Sequence, residues 1–192
     1  MTLKIIIITL MGIFYICYFS KMISQRKKGI KTDQLGKGKE GFFKFIELAL
    51  KLITYTIPIL QVFTIFTFDE LVSLWRQVLG ILLTVLGVMI VIISILQMKD
   101  NWRAGVQRDE KTNLVTGGIY TISRNPAFLG FNLMYVGILT TFFHWYLCLA
   151  TILAVIFFHL QIVYVEEPFL IEKFGKAYLD YKHKVYRYFG KK

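Results

Sequence analysis

Apolar and polar positions fall in long blocks along this chain, and the blocks predict its elements. Apart from Lys4, Leu3–Ser20 carries no charge, and its roughly 18 residues suffice to cross a bilayer. No small-residue cleavage site follows and the basic cluster lies behind it, so it reads as a retained first helix with its N-terminus outside, not a secretory signal. Residues 21–41, rich in Lys and Gly, read as a solvated basic loop beside the membrane. A second helix starts near Phe42 as an interfacial segment carrying Lys44, Glu47 and Lys51. It spans from about Leu52 to Phe68, with Pro58 inside, which membrane helices tolerate. Asp69–Arg76 is a short turn. A third helix covers about Val78–Met98, where Gly80 and Gly87 share a face suited to close packing and permitting a dimer contact. After a polar segment at 99–126, helices are expected over about Ala127–Phe143 and Trp145–Val165, separated only by His144 as a tight antiparallel hairpin. A charged, aromatic tail, 166–192, ends the chain.

The expected fold is therefore an all-α integral membrane protein of about five transmembrane helices. Residues 1–98 hold three of them and the basic loop; residues 99–192 hold the other two, the polar segment and the tail. Composition agrees: 56% of the 192 residues are hydrophobic and 16% aromatic, beyond what a soluble domain of this length carries. The net charge of +11 would suit nucleic acid, but its placement excludes that reading. Of 23 Lys and Arg, all but Lys4 and Arg76 fall on one side of the proposed bilayer. By the positive-inside rule that side is cytoplasmic, which sets the N-terminus out and the C-terminus in. The lack of an organelle signal points to a prokaryotic plasma membrane. Cys17 and Cys148 lie inside apolar runs and read as buried thiols. His144, His159 and His183 are scattered, so no metal is implied.

Candidate chemistry gathers where the last hairpin returns to its starting side. Trp102 and Arg103 read as an interface anchor. The glycines of Leu114–Tyr120 let a backbone turn and approach a ligand, although no GxGxxG pattern supports a dinucleotide fold. Asn125 and Pro126 suit the N-cap and first position of the fourth helix. That helix start, with Arg124 as a carboxylate fork, suits an anionic group such as the carboxylate of an amino-acid-like ligand. Glu166 and Glu167 stand at the far end of the hairpin, where paired acids at a membrane boundary call for a cation such as an amine or a sulfonium.

These residues together resemble a known family. LVTGGIYTISRNPAFLG, followed after the hairpin by EEPFLIEKFGKAYLDYKHKV, is similar to the isoprenylcysteine carboxyl methyltransferases and the membrane phospholipid methyltransferases that share their signature. The shared pattern is Arg-His-Pro-x-Tyr-x-Gly, then Glu-Glu-x-x-Leu, then Phe-Gly-x-x-Tyr-x-x-Tyr, over roughly residues 97–188. The resemblance implies an S-adenosylmethionine-dependent enzyme acting on a small amphipathic or lipid-like acceptor. Its cofactor pocket would be formed by the cytoplasmic ends of helices three to five and the tail. Gln107 would contact the cofactor, Thr112, Asn113, Leu114, Val115, Gly118 and Ile119 would line its loop, and Tyr120 would wall it. Arg124, Asn125, Pro126 and Phe128 would form its corner. Glu166 and Glu167 would face its cationic end, and Arg124 and Glu166 would be the catalytic pair. Three positions depart from the pattern. Asn125 replaces the usual His, Phe128 the usual Tyr, and Ile162 an Arg that in the family's methyl esterases handles the substrate carboxylate. The tail positions Phe174, Tyr178, Tyr181, Val185 and Tyr188 form one stripe, read as an interfacial amphipathic helix that also helps to cover the cofactor. Two other readings stay open: an NADPH-dependent reductase, since membrane sterol reductases have a similar corner and Tyr-rich tail, and a non-catalytic scaffold with a degenerate pocket.

Overall fold

A computed structural model describes residues 1–106 and 112–192 of the chain. The elements of the described residues are all helices, with α1 over Thr2–Lys27, α2 over Gly41–Thr67, α3 over Leu74–Met98, α4 over Pro126–Thr141 and α5 over Trp145–Leu160. A π-helical turn, Gln161–Glu166, joins α5 to α6, Glu167–Phe174, and α7 follows over Lys176–Lys184. The helices α1, α2, α3 extended to Asn101, and the continuous run Trp145–Phe174 are long and apolar enough to cross a membrane. The chain is an integral, multi-pass membrane protein. The fourth apolar helix, α4, has only 16 residues, about 24 Å at 1.5 Å per residue.

Helices start and stop somewhat outside the apolar runs. α1 continues past Ser20 to Lys27, because long basic side chains can leave the bilayer while their backbone stays helical. α4 ends at Thr141, so residues Phe142 to His144 form the hairpin turn, not His144 alone. Arg76 donates from Nε to the Thr140 carbonyl at 2.9 Å, satisfying an orphan acceptor at the C-terminal end of α4.

The tightest packing is between α3 and α4. A Cβ on Gly87 would stand 2.5 Å from the Met134 nitrogen, and one on Gly80 would stand 1.9 Å from Thr141 Oγ1. Gly130 and Gly137 on α4 are equally crowded by α3. Two glycine pairs thus let the backbones meet, as small residues do in membranes, and the Gly80/Gly87 face is consumed within the chain. α1 packs on α3 and α2 on α5, whereas α1 and α2 scarcely touch. A gap between them is left open to the side.

The basic connector differs from expectation. It is pinned to the segment after α3 by a parallel bridge between Asp33 and Ala104, with Gln34 N donating to the Ala104 carbonyl at 2.8 Å and Ala104 N to that of Thr32 at 2.9 Å. Gln25, fully buried at the end of α1, donates to the Trp102 carbonyl and accepts from the Thr32 hydroxyl. The connector is a roof over the bundle end, not a solvated loop. Trp102 is likewise buried beneath it and is no surface anchor.

Candidate functional site

The N-terminal end of α4 and the C-terminal end of the α5–α6 run meet, as hairpin geometry requires. Arg124 Nη1 lies 3.0 Å from Glu167 Oε1 and donates to the Tyr178 hydroxyl at 2.9 Å, while Nε donates to the Val185 carbonyl. Glu167 also takes a bidentate fork from Arg187, at 2.8 and 3.2 Å, and the Lys182 ammonium at 3.1 Å. The arginine fork expected to be free for a ligand is committed to Glu167, and Glu167 takes its cations from the protein.

The tail reaches this cluster because Gly175, at φ +52°, breaks the helix between α6 and α7. The expected amphipathic stripe therefore turns inward, with Tyr178, Tyr181 and Val185 buried against Tyr120, Leu114 and Ile119. The Tyr181 hydroxyl donates to the Tyr120 carbonyl at 2.6 Å. Burial pushes the Tyr178 phenol up to about 12, against the opposing pull of Arg124. It also raises Tyr120, with the Glu166 charge adding to the effect. These phenols are neutral hydrogen-bonding groups at physiological pH. Residues 185–192 fold back on the corner: Arg124 N donates to the Tyr186 carbonyl and Gly190 N to that of Ile122. Asn125 sits at the N-cap position, yet its side chain makes no cap bond and donates instead to the Arg187 carbonyl at 3.1 Å.

Beside this cluster lies a cavity of about 1140 Å³. Its polar end is lined by Thr112, Asn113, Leu114, Val115, Tyr120, Arg124, Asn125, Pro126, Phe128 and Glu166. Its other end is the gap between α1 and α2, walled by Ile8, Gly12, Phe19, Ile59 and Phe63 among others. Several of these side chains, Ile59 and Phe63 included, are exposed on the outer surface. The cavity is thus polar at the bundle end and apolar where it opens sideways.

Three expected residues stand off this cavity. Gly118 takes φ +59°, and a Cβ there would meet Gln97 Oε1 at 2.5 Å, so this glycine serves the packing of its turn on α3. Ile119 packs into the tyrosine cluster, and Glu167 faces Arg124 and the tail. Gln107 falls outside the described residues. Tyr178 and Tyr181 line the cavity, as expected of a tail that covers it, and Trp102 and Gln161 join it as lining residues beyond the expected set. Gln161 did carry a signal, being a lone amide inside an apolar run, where it is costly unless it has a partner.

Residues 75–177 match the family model described as phospholipid methyltransferase, more than half of the chain. The chain belongs to this family. Over 113 residues it is 28% identical to the protein-S-isoprenylcysteine O-methyltransferase of Tribolium castaneum, a stretch covering 58% of this chain and 40% of that protein. The solved structure of a eukaryotic intramembrane Ras methyltransferase, isoprenylcysteine carboxyl methyltransferase, superposes with a TM-score of 0.64 at 20% identity. That match covers 94% of this chain and 63% of the other. At this identity the likeness is one of fold. The matching stretch of the phospholipid methyltransferase family runs from α3 to the start of α7 and so contains α4, the π turn and Glu166.

Proposed function

We propose that this chain is an S-adenosylmethionine-dependent membrane methyltransferase whose acceptor is an amphipathic, lipid-like molecule. The reading is carried by one observation: a single cavity runs from the polar corner at Arg124, Asn125 and Glu166 to an apolar gap between α1 and α2. A molecule with a reactive head and an acyl or prenyl tail has that distribution of polarity. Family membership and the relatives' names support the reaction type. In this reading all five apolar helices cross the bilayer, the short α4 included. The N-terminus lies outside, and the polar corner faces the cytoplasm with the basic residues. Residues 99–192 carry the chemistry, and α1 and α2 add the apolar wall.

The polar end fits such a cofactor. Trp102 Nε1 is a buried donor with no partner among the described residues, and its ring lines the cavity. An unpaired buried donor is costly until a ligand atom or a water accepts from it, and this one faces the space a cofactor would fill. Phe128 and Tyr120 offer apolar faces, and Asn113 is held in place by its N–H donating to Asn101 Oδ1 at 3.0 Å. When bound, S-adenosylmethionine supplies a methyl group on a sulfonium that is already a good leaving group. The protein then has to position the acceptor, exclude water and handle a proton. Glu166 lines the cavity and is placed to orient the acceptor or to take its proton. Arg124 acts from behind: paired with Glu167, it ties the start of α4 to α6, α7 and the terminal turn, and so fixes the pocket wall.

Calorimetric titration of the detergent-purified protein with S-adenosylhomocysteine, with NADPH as control, tests the reading. Micromolar or tighter binding of S-adenosylhomocysteine, lost in Arg124→Ala, is expected. Binding of NADPH in its place would move the chain to reductases, and binding of neither would leave a scaffold.

A further inference from the structure

A second buried polar cluster lies across the cavity from Arg124. Glu47, on the inner face of α2, is fully buried. Its Oε2 accepts the Gly36 N–H at 2.6 Å, and its Oε1 accepts the Gln161 Nε2 at 3.1 Å and pairs with the Lys39 ammonium. Lys39 also donates to the Val106 carbonyl at 3.2 Å. An ammonium and two N–H donors around one carboxyl group are the partners of an ionised carboxylate, which can only accept. Gln161 must therefore turn its nitrogen toward Glu47. Its carbonyl oxygen, Oε1, is left buried with no partner among the described residues, on a side chain that lines the cavity.

The π turn makes this matter for the site. Gln161 opens that turn and Glu166 closes it. In a regular α-helix residues five apart point roughly 140° away from each other. The wider π turn, with its i→i+5 hydrogen bonding, lets both side chains line one cavity. The charges acting on Glu166 are Glu47, Lys39 and Glu167, and the Gln161 amide nitrogen also donates to its carboxyl group, which leaves the Gln161 oxygen as the unpartnered atom. Lys39 is paired with Glu47, and Glu167 is held by Arg124, Lys182 and Arg187. This wall thus presents a carboxyl group and an amide oxygen, while Ile162 between them is apolar and fully buried.

We propose that Gln161, oriented by Glu47, determines which head group the cavity takes. Its oxygen and Glu166 together hold a hydrogen-bond-donating head, best an ammonium, and turn away a carboxylate. Glu47 is a positioning residue, acting through Gln161. The proposal rests on the methyltransferase reading only in treating that head as the methyl acceptor.

The test uses the full chain in lipid nanodiscs and three amphiphiles with one tail, dodecylamine, dodecanol and dodecanoate, titrated calorimetrically against protein-free nanodiscs as blanks. The expected wild-type order is amine, then alcohol, then carboxylate, with at least about tenfold between the first and last, the scale of one charge-assisted hydrogen bond. Gln161→Met removes the amide at similar volume, and Glu47→Gln frees the amide to flip. Each is expected to cut the amine-to-carboxylate ratio to about threefold or less, while S-adenosylhomocysteine titration reports that the variant is folded. The ratio is the informative readout, because a merely structural role would weaken all three amphiphiles together. Dodecanoate binding as well as dodecylamine to the wild type would overturn the proposal, even were neither variant to fold. An unchanged ratio in a folded Gln161→Met would also overturn it. Failure of S-adenosylhomocysteine to bind the wild type, with the amphiphile order intact, would instead count against the methyltransferase reading alone.

Discussion

Arg124 and Glu167, at opposite ends of the α4–α5 hairpin, form a buried ion pair at 3.0 Å, and the pair is asymmetric. Glu167 keeps Lys182 and Arg187 when Arg124 is removed. Arg124 loses its one carboxylate partner among the described residues when Glu167 is removed, and is left as a buried cation beside a phenol and a carbonyl. Glu167→Ala should therefore cost about 3–5 kcal/mol, the range for breaking a buried pair. Lys182→Ala, at a partly exposed position, should cost about 1 kcal/mol or less. Thermal unfolding in detergent, ranked across the two variants, checks this order.

The α3–α4 contact predicts a steric contrast. Gly87→Ala places a Cβ 2.5 Å from backbone, whereas Gly12→Ala meets nothing within 4 Å. The first should destabilise by about 1–3 kcal/mol or more, as overpacking does, and the second should leave stability unchanged or raise it by up to about 1 kcal/mol, as Gly→Ala does inside a helix with room for the methyl group. The same unfolding assay reads both.

Glu166 lines the cavity and Glu167 does not. Glu166→Gln should lower methyl transfer about 100-fold or more, the scale of a positioned proton acceptor, while leaving the protein folded. Single-turnover transfer of a labelled methyl group, compared with the melting temperature of the same variant, separates the chemical effect from a structural one.

The apolar gap predicts a different kinetic signature. Ile59→Trp enlarges a side chain on the wall between α1 and α2, far from the polar corner. It should raise KM for a long-tailed acceptor severalfold and leave S-adenosylhomocysteine affinity unchanged. Steady-state kinetics with a lipid-extract acceptor and calorimetry on the same preparation test this.

The tyrosine cluster sets a pH limit. Tyr178 titrates at about 12 in the folded chain, above the ordinary value of 10.0. Its folded form holds the proton more tightly than the unfolded form. The stability it contributes is thus fully present below about pH 10 and is lost as pH rises through 12. Melting temperatures should be insensitive to this group between pH 7 and 9 and fall above pH 10, less steeply in Tyr178→Phe.

The meeting of Arg124 with the Glu166–Glu167 pair was legible in the sequence, because an apolar hairpin has to return its two ends to one side. The Gly80/Gly87 face was legible for a similar reason, since two small residues on one face of a membrane helix announce a close neighbour. What was not legible came from contacts between connectors. Nothing local in a Lys/Gly-rich segment says that Asp33 bridges to Ala104, far along the chain, or that Lys39 pairs with Glu47, which depends on the face of α2 that turns inward. Glu47 read as an interfacial charge because its neighbours Lys44 and Lys51 are charged too, and periodicity alone does not say which of them faces inward. The tail's apolar positions recur at helical spacing across Gly175, so periodicity alone makes them one stripe, yet the positive φ of Gly175 turns Tyr178 and Tyr181 onto Tyr120.

In the proposed reading one cavity joins a cofactor at its polar end to a lipid tail at its apolar end, with Glu166 on its wall. The most direct test of that reading is transfer of a labelled methyl group from S-adenosylmethionine into organic-extractable material, by the purified protein in vesicles carrying a total lipid extract. Label should enter a lipid product with the wild type and fall about 100-fold with Glu166→Gln. Label appearing only in water-soluble product, or equally with Glu166→Gln, would contradict the account.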